Sequence, residues 1–146
     1  MTETGKRVDP YSNFRFLVEI GGTSYGIFRE CSGFSSEIAI TENPQGGAPV
    51  TGKLPGRVKY ANIVLKWGMT DSRELYDWHR AAIQGHVERR SGSIVLLDST
   101  GQEKVRWNFS QGWPSKWDGP DFNAASDDIA IETLEIAHEG LERAKK

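Results

Sequence analysis

The stretch Lys53–Trp78, KLPGRVKYANIVLKWGMTDSRELYDW, decides the fold. Lys53-Leu54-Pro55-Gly56 reads as a turn, because proline brings no ladder N–H and glycine accepts backbone angles that other residues resist. Arg57 to Trp67 then predicts the longest strand. Ile63, Leu65 and Trp67 share one face, while Val58, Tyr60, Asn62, Val64 and Lys66 form a mixed opposite face. Apolar groups on both faces place this strand between two layers. Asp71 follows as an N-cap, and Glu74 completes a capping-box pair. Leu75, Trp78 and Ala82 line one helical stripe, with Gly85 as the stop, so a helix is predicted over about residues 72–84. One helix against a sheet results.

Upstream, Phe14, Phe16, Val18 and Ile20 alternate as in a half-buried strand. Gly21-Gly22 turns it back through Tyr25-Gly26-Ile27-Phe28. Glu37 to Glu42 predicts a third strand with Ile38 and Ile40 inward. Residues 43–56, NPQGGAPVTGKLPG, hold three prolines and four glycines, which predicts a loop where neither helix nor ladder persists. A loop of that length inside a compact domain is either functional or flexible. Downstream, Ser93–Leu97 and Lys104–Phe109 are strands joined by the turn Asp98-Ser99-Thr100-Gly101, with Val105, Trp107 and Phe109 inward. An irregular loop, Asp118–Asp127, precedes a last strand, Asp128–His138. There Ile129 and Ile131 have one parity, Leu134 and Ile136 the other, which means a bulge or burial on both sides. The fold class is mainly β: an antiparallel barrel or sandwich of two packed sheets with one peripheral helix.

A chain of 146 residues is read as one domain. Only 37% of it is hydrophobic and its mean hydropathy is −0.53, a lean core for an all-β domain. Such a domain leaves strand edges that must be blunted, covered or paired with another chain. The single Cys31 excludes an internal disulfide framework and fits a reducing compartment. No apolar run approaches the ~20 residues that span a bilayer, and MTETGKRVDP offers no apolar signal core. The net charge of −2 argues against sequence-independent nucleic-acid binding by the free subunit. Charge is segregated, however. Lys53, Arg57, Lys59, Lys66, Arg73, Arg80, Arg89 and Arg90 fill the middle, whereas Asp118 to Glu142 carries eight acidic residues without a lysine or arginine. This is either an ordinary solvated surface or a basic patch made to meet the acidic end of another copy.

Catalytic motifs are absent. His79, His86 and His138 have no metal-pair spacing, and Cys31 has no Cys-x-x-Cys partner, so no metal and no cofactor is implied. Neither a nucleophile elbow nor a phosphate-binding glycine loop occurs. Cys31-Ser32-Gly33 lacks an evident base, which leaves Cys31 as a small packed side chain. Asp127, Asp128, Glu132 and Glu135 read as outward positions of a strand rather than a glycosidase pair. Trp113 and Trp117 share parity and flank Lys116, the one arrangement that suits a sugar platform. A carbohydrate-binding module is therefore the rival to a packing role for the five tryptophans.

The segments DPYSNFRFLVEI (9–20), FRECSGFSSEI (28–38), KLPGRVKY (53–60), LKWGMTDSRELYDW (65–78), RRSGSIVLLD (89–98), RWNF (106–109), WPSKWDGPDFNA (113–124) and AIETLEIAHEGLE (130–142) carry a resemblance. In this order they resemble the tail tube proteins of contractile injection systems and contractile-tailed phages. The resemblance implies a single tail-tube domain over residues 1–146, with an N-terminal arm at 1–12. It implies no enzyme, but stacked homohexameric rings forming a hollow tube inside a sheath. Baseplate or tube-initiator and terminal cap proteins would bound that tube, and effector protein or DNA would pass through it. The subunit would assemble in the bacterial cytoplasm, then join a phage tail or injection particle, without inserting in a membrane itself. A tube initiator is the alternative within the family. Trp67 stands where the resemblance places a charged residue. For stacking, the arm comprises Asn43, Pro44, Gln45, Gly46 and Gly47, anchored by Lys53, Leu54, Pro55 and Gly56. Between subunits, Arg57, Lys59, Arg89 and Arg90 are set against Asp127, Asp128, Glu132 and Glu135.

Overall fold

The structure, a computed structural model, describes residues 15–44, 46, 47 and 49–145. Phe14, the N-terminal arm and Gln45 lie outside them. Strands β1 (Arg15–Ile20) and β2 (Thr23–Tyr25) form the hairpin predicted at Gly21-Gly22, both glycines having positive φ. β3 (Phe28–Ser32) follows, then β4 (Ser36–Asn43), β5 (Gly52–Tyr60) and β6 (Ile63–Gly68). The helix α1 (Glu74–Ile83) leads to β7 (Arg90–Leu97), β8 (Glu103–Asp118), β9 (Ile131–Ala137) and β10 (Gly140–Arg143).

The 16-residue β8 belongs to both layers. Its first half pairs with β7 on one side and β10 on the other; its second half pairs with β9. The bend falls at Gln111, whose φ is 54°, beside Gly112, where a Cβ would stand 2.6 Å from the Phe109 ring. The strand order is β2-β1-β7-β8-β9-β6-β3. No ladder joins its two ends among the described residues, so the sheet folds into an open sandwich instead of closing as a barrel. Val18, Ile20, Ile94 and Phe109 from one layer meet Ile63, Leu65, Trp67, Leu134 and Ile136 from the other. Fully burying each such side chain contributes about 1.5–3 kcal/mol. Trp67 is part of this core, its indole edge-on to Phe28 with ring centres 5.6 Å apart.

Several elements differ from the sequence prediction. The strand expected over Arg57–Trp67 is two strands in different sheets, broken at Ala61-Asn62. The break has local causes: Ala61 N donates to Ser35 O at 3.3 Å, and His138 Nε2 lies 3.0 Å from Ala61 O. Gly33, at φ +94°, lets one chain cross the other here, since a Cβ would collide with the Asn62 carbonyl. The expected strand Lys104–Phe109 runs on to Asp118. β9 begins at Ile131 and pairs with β6 in unbroken register. Glu132, Leu134 and Ile136 form its one buried face, Ile131 is half-buried on the other, and Ile129 lies exposed ahead of the strand, so the change of parity marks the strand's start.

The capping box does not form. Arg73 occupies the N-cap without a side-chain bond, and Ser72 Oγ accepts from Glu74 N at 3.5 Å. The stripe nevertheless packs as predicted: Leu75 and Trp78 are buried, and Trp78 Nε1 donates to Glu88 O at 2.8 Å. Gly85, at φ +92°, ends the helix. His79 Nδ1 lies 3.0 Å from Pro114 O, fixing the helix against β8.

Candidate assembly surface

β4 and β5 form a second, two-stranded sheet of their own. The region expected to be a loop over 43–56 is therefore mostly hairpin. Asn43 pairs with Gly52, Glu42 with Lys53, Thr41 with Leu54 and Ile40 with Pro55, which leaves only residues 44–51 as the tip. Pro55 is tolerated because the strand has no third neighbour and the register shifts between Ile38 and Ile40. Gly56 fits under Ala39, a Cβ there lying 3.1 Å from the Ala39 carbonyl. At the tip Gly47 takes φ +79° next to Gly46, after Pro44.

The alternation in β4 predicts Ile38 and Ile40 inward, yet they are 56% and 66% exposed. Their cross-strand partners Val58 and Pro55 share the same face, and Val58 is 55% exposed. Leu54 on the other face and Val50 at the tip are exposed too. A two-stranded hairpin without a covering layer is marginal in water. This one instead displays apolar side chains on a projecting ladder, the pattern of a surface completed by another chain.

Charged positions divide into committed and free. Arg57, Lys59, Lys53, Glu37 and Glu42 on the hairpin are exposed and form no ion pair among the described residues. Arg89 pairs with Glu139 at 3.1 Å and lies 6.0 Å from the Trp113 ring centre. Arg90 pairs with Glu88 at 2.9 Å and stacks 4.9 Å over Trp78. Asp127 and Asp128 are exposed beyond the start of β9. Glu132 corrects the outward reading: it is buried and accepts from Trp117 Nε1 at 3.0 Å. Glu135 is half-buried, accepting from Asn62 Nδ2 at 3.2 Å with Lys116 Nζ at 3.8 Å.

The sugar platform is not present. Trp117 turns its ring edge to Tyr76 at 4.9 Å and its N–H to Glu132, while Trp113 is half-buried beside Arg89. Burial pushes the Cys31 thiol up to about 12, away from a nucleophile's range. Among the described residues no three His, Cys, Asp or Glu are placed to hold a metal, and no helix is long and apolar enough to cross a membrane.

Sequence reasoning missed two features. One is the outer face of β1, β7 and β8, where Arg106 joins Glu103 and Glu19, each at 2.8 Å. These two carboxylates push the Arg106 guanidinium pKa further up. The other is Phe34, whose ring centre lies 5.8 Å from that of Trp107. The Arg106–Glu19 and Phe34–Trp107 contacts are long-range and leave no local pattern, whereas Arg106–Glu103 is a local i,i+3 pair.

The profile of the T4-like virus tail tube protein gp19 family matches residues 12–142. The chain belongs to this family. It is a tail tube protein, a structural component of a tail-like injection particle and not an enzyme. Among curated proteins no sequence matches it. Among solved structures, this tube protein is similar to a chain in the tube-terminating cap of the anti-feeding prophage. The TM-score is 0.89 at 25% identity, over 99% of this chain and 97% of that one. A chain in the extended sheath–tube complex of the extracellular contractile injection system PVC gives 0.84 at 27% identity, over 92% and 91%. Hcp1 from Flavobacterium johnsoniae shares the fold alone, with a TM-score of 0.57 and 16% identity over 89% and 94%.

Proposed function

We propose that this tube protein is the repeating subunit of a hollow inner tube built from stacked homohexameric rings. The single observation that carries this reading is the β4–β5 hairpin, a projecting ladder with its apolar face bare, on a chain of the tail tube family. Within a ring, the open ends of the folded sheet at β2 and β3 offer edges for neighbouring subunits, and a cyclic head-to-tail contact closes on itself. Between rings, the hairpin is the axial arm. Arg57 and Lys59, exposed and without an ion pair among the described residues, steer docking toward the exposed Asp127 and Asp128 of another copy, whereas Arg89, Arg90 and Glu135 are engaged within the subunit.

The similarity to a sheath–tube complex and a tube cap supports a surrounding sheath and a terminal cap as partners, and a baseplate-side initiator would start the tube at its other end. Effector protein or DNA would travel the lumen. Assembly would take place in the bacterial cytoplasm, with the subunit then carried in the finished phage tail or injection particle. Negative-stain electron microscopy of the purified protein tests this directly, with rings or tubes expected. Deleting Pro44–Thr51 should leave a folded subunit that no longer polymerises; normal tubes from that deletion would overturn the arm.

A further inference from the structure

At the end of the sandwich where the hairpin departs, an apolar cleft of about 390 Å³ opens between the layers. Phe16 and Leu96, paired across β1 and β7, form one wall together with Trp107. Phe34 and Cys31 stand opposite, and the exposed Arg143 lies at the rim. The cleft and the hairpin are thus two bare apolar surfaces on one chain. They do not meet within it, because Ile38 and Ile40 remain exposed. The hairpin's take-off is also fixed by the Gly33–Asn62 crossing and by the Ala61–Ser35 bond.

Charge supplies the register. Glu42 shares the face of Ile38 and Ile40, two residues further along the pleat. It forms no ion pair among the described residues, and neither does Arg143. An acidic residue past two isoleucines therefore matches a basic residue beside an apolar slot. We propose that the cleft is the seat for the β4–β5 hairpin of a second copy, with Ile38 and Ile40 entering it and Glu42 meeting Arg143. This rests on the reading of the hairpin as an assembly arm. Arm and seat on one chain make a heterologous contact, which extends along a stack when its rotation does not close into a ring.

Cys31 in the seat provides the test. In assembled particles of an Ile40→Cys variant, oxidation with copper phenanthroline should link subunits into a ladder on non-reducing gels. Adding Cys31→Ser should abolish that ladder. Because burial slows the Cys31 thiol, assembled particles that give no link overturn the seat when single charge changes at Glu42 and Arg143 also leave assembly unchanged. So does a link from Cys31 to a cysteine placed ahead of Arg15, which would mean that the chain fills its own cleft. A charge exchange keeps the proposal falsifiable if Ile40→Cys fails to assemble. Glu42→Arg or Arg143→Glu alone should raise the critical concentration up to about 5-fold, the scale of one exposed pair, and the double exchange should restore it. Singles without effect, or a double no better than its parents, overturn the pairing. The arm reading itself fails only if tubes form normally without residues 44–51.

Discussion

Single residues carry the sharpest constraints. Gly33 combines a φ of +94° with a position where any Cβ meets the Asn62 carbonyl. Gly33→Ala should therefore cost about 3 kcal/mol or more by urea denaturation, the upper range for a strained backbone; a loss below about 1 kcal/mol would show that the crossing relaxes easily. Glu132 is the instructive case for legibility. It shares parity with Leu134 and Ile136, so period-2 alternation alone places it inside, and only its charge suggests otherwise. The indole of Trp117 makes that burial tolerable. Trp117→Phe removes the donor and should destabilise by about 1–3 kcal/mol, read from the same denaturation curves. Asp98 accepts from Thr100 N, Thr100 Oγ1 and Gln102 N at the β7–β8 turn, led by the Thr100 hydroxyl, and these bonds hold its carboxyl down at about 2. A carboxylate depressed on folding stabilises above its unfolded pKa of about 4, and loses that contribution as pH falls toward the folded value. The stability gap between wild type and Asp98→Asn should then narrow between about pH 4 and 2; a constant gap would refute the role.

At the scale of elements, alternation located β1, β6, β7 and the helix stripe, because each of these buries its apolar side within its own chain. β4 alternates equally well, yet Ile38 and Ile40 point to solvent. Periodicity reports that one face wants cover and is silent on which molecule provides it. The Pro and Gly residues of 43–56 misled for a related reason. They disfavour a central strand, whereas a two-stranded arm asks less of Pro55 and Gly56. The contrast predicts opposite outcomes for two substitutions. Trp78→Ala, in the buried stripe of α1, should cost about 3–5 kcal/mol of subunit stability. The pair Ile38→Ser and Ile40→Ser should leave subunit stability within about 0.5 kcal/mol each while abolishing tubes in electron micrographs.

For the whole molecule, the sequence conveyed two layers and one helix but not closure, since barrel or sandwich turns on whether the end strands β2 and β3 share a ladder, a pairing with no local signature. The lean composition has the same origin: a subunit with an uncovered hairpin and open sheet ends has surface left for neighbours. If free charges on that surface guide docking, assembly should slow as salt rises, because a Debye length of about 10 Å at 0.1 M screens them. Salt-independent polymerisation, followed by light scattering, would count against electrostatic steering. The bent β8 has a further consequence. One continuous backbone is hydrogen-bonded into both layers, so neither can melt while the other keeps its full ladder. The sandwich should lose its structure in one concerted transition, and transmit a push along its length as one stiff body. The hairpin stands outside that cooperative unit. Its amide hydrogens should exchange with solvent well ahead of those in β6 and β9 until another copy covers them.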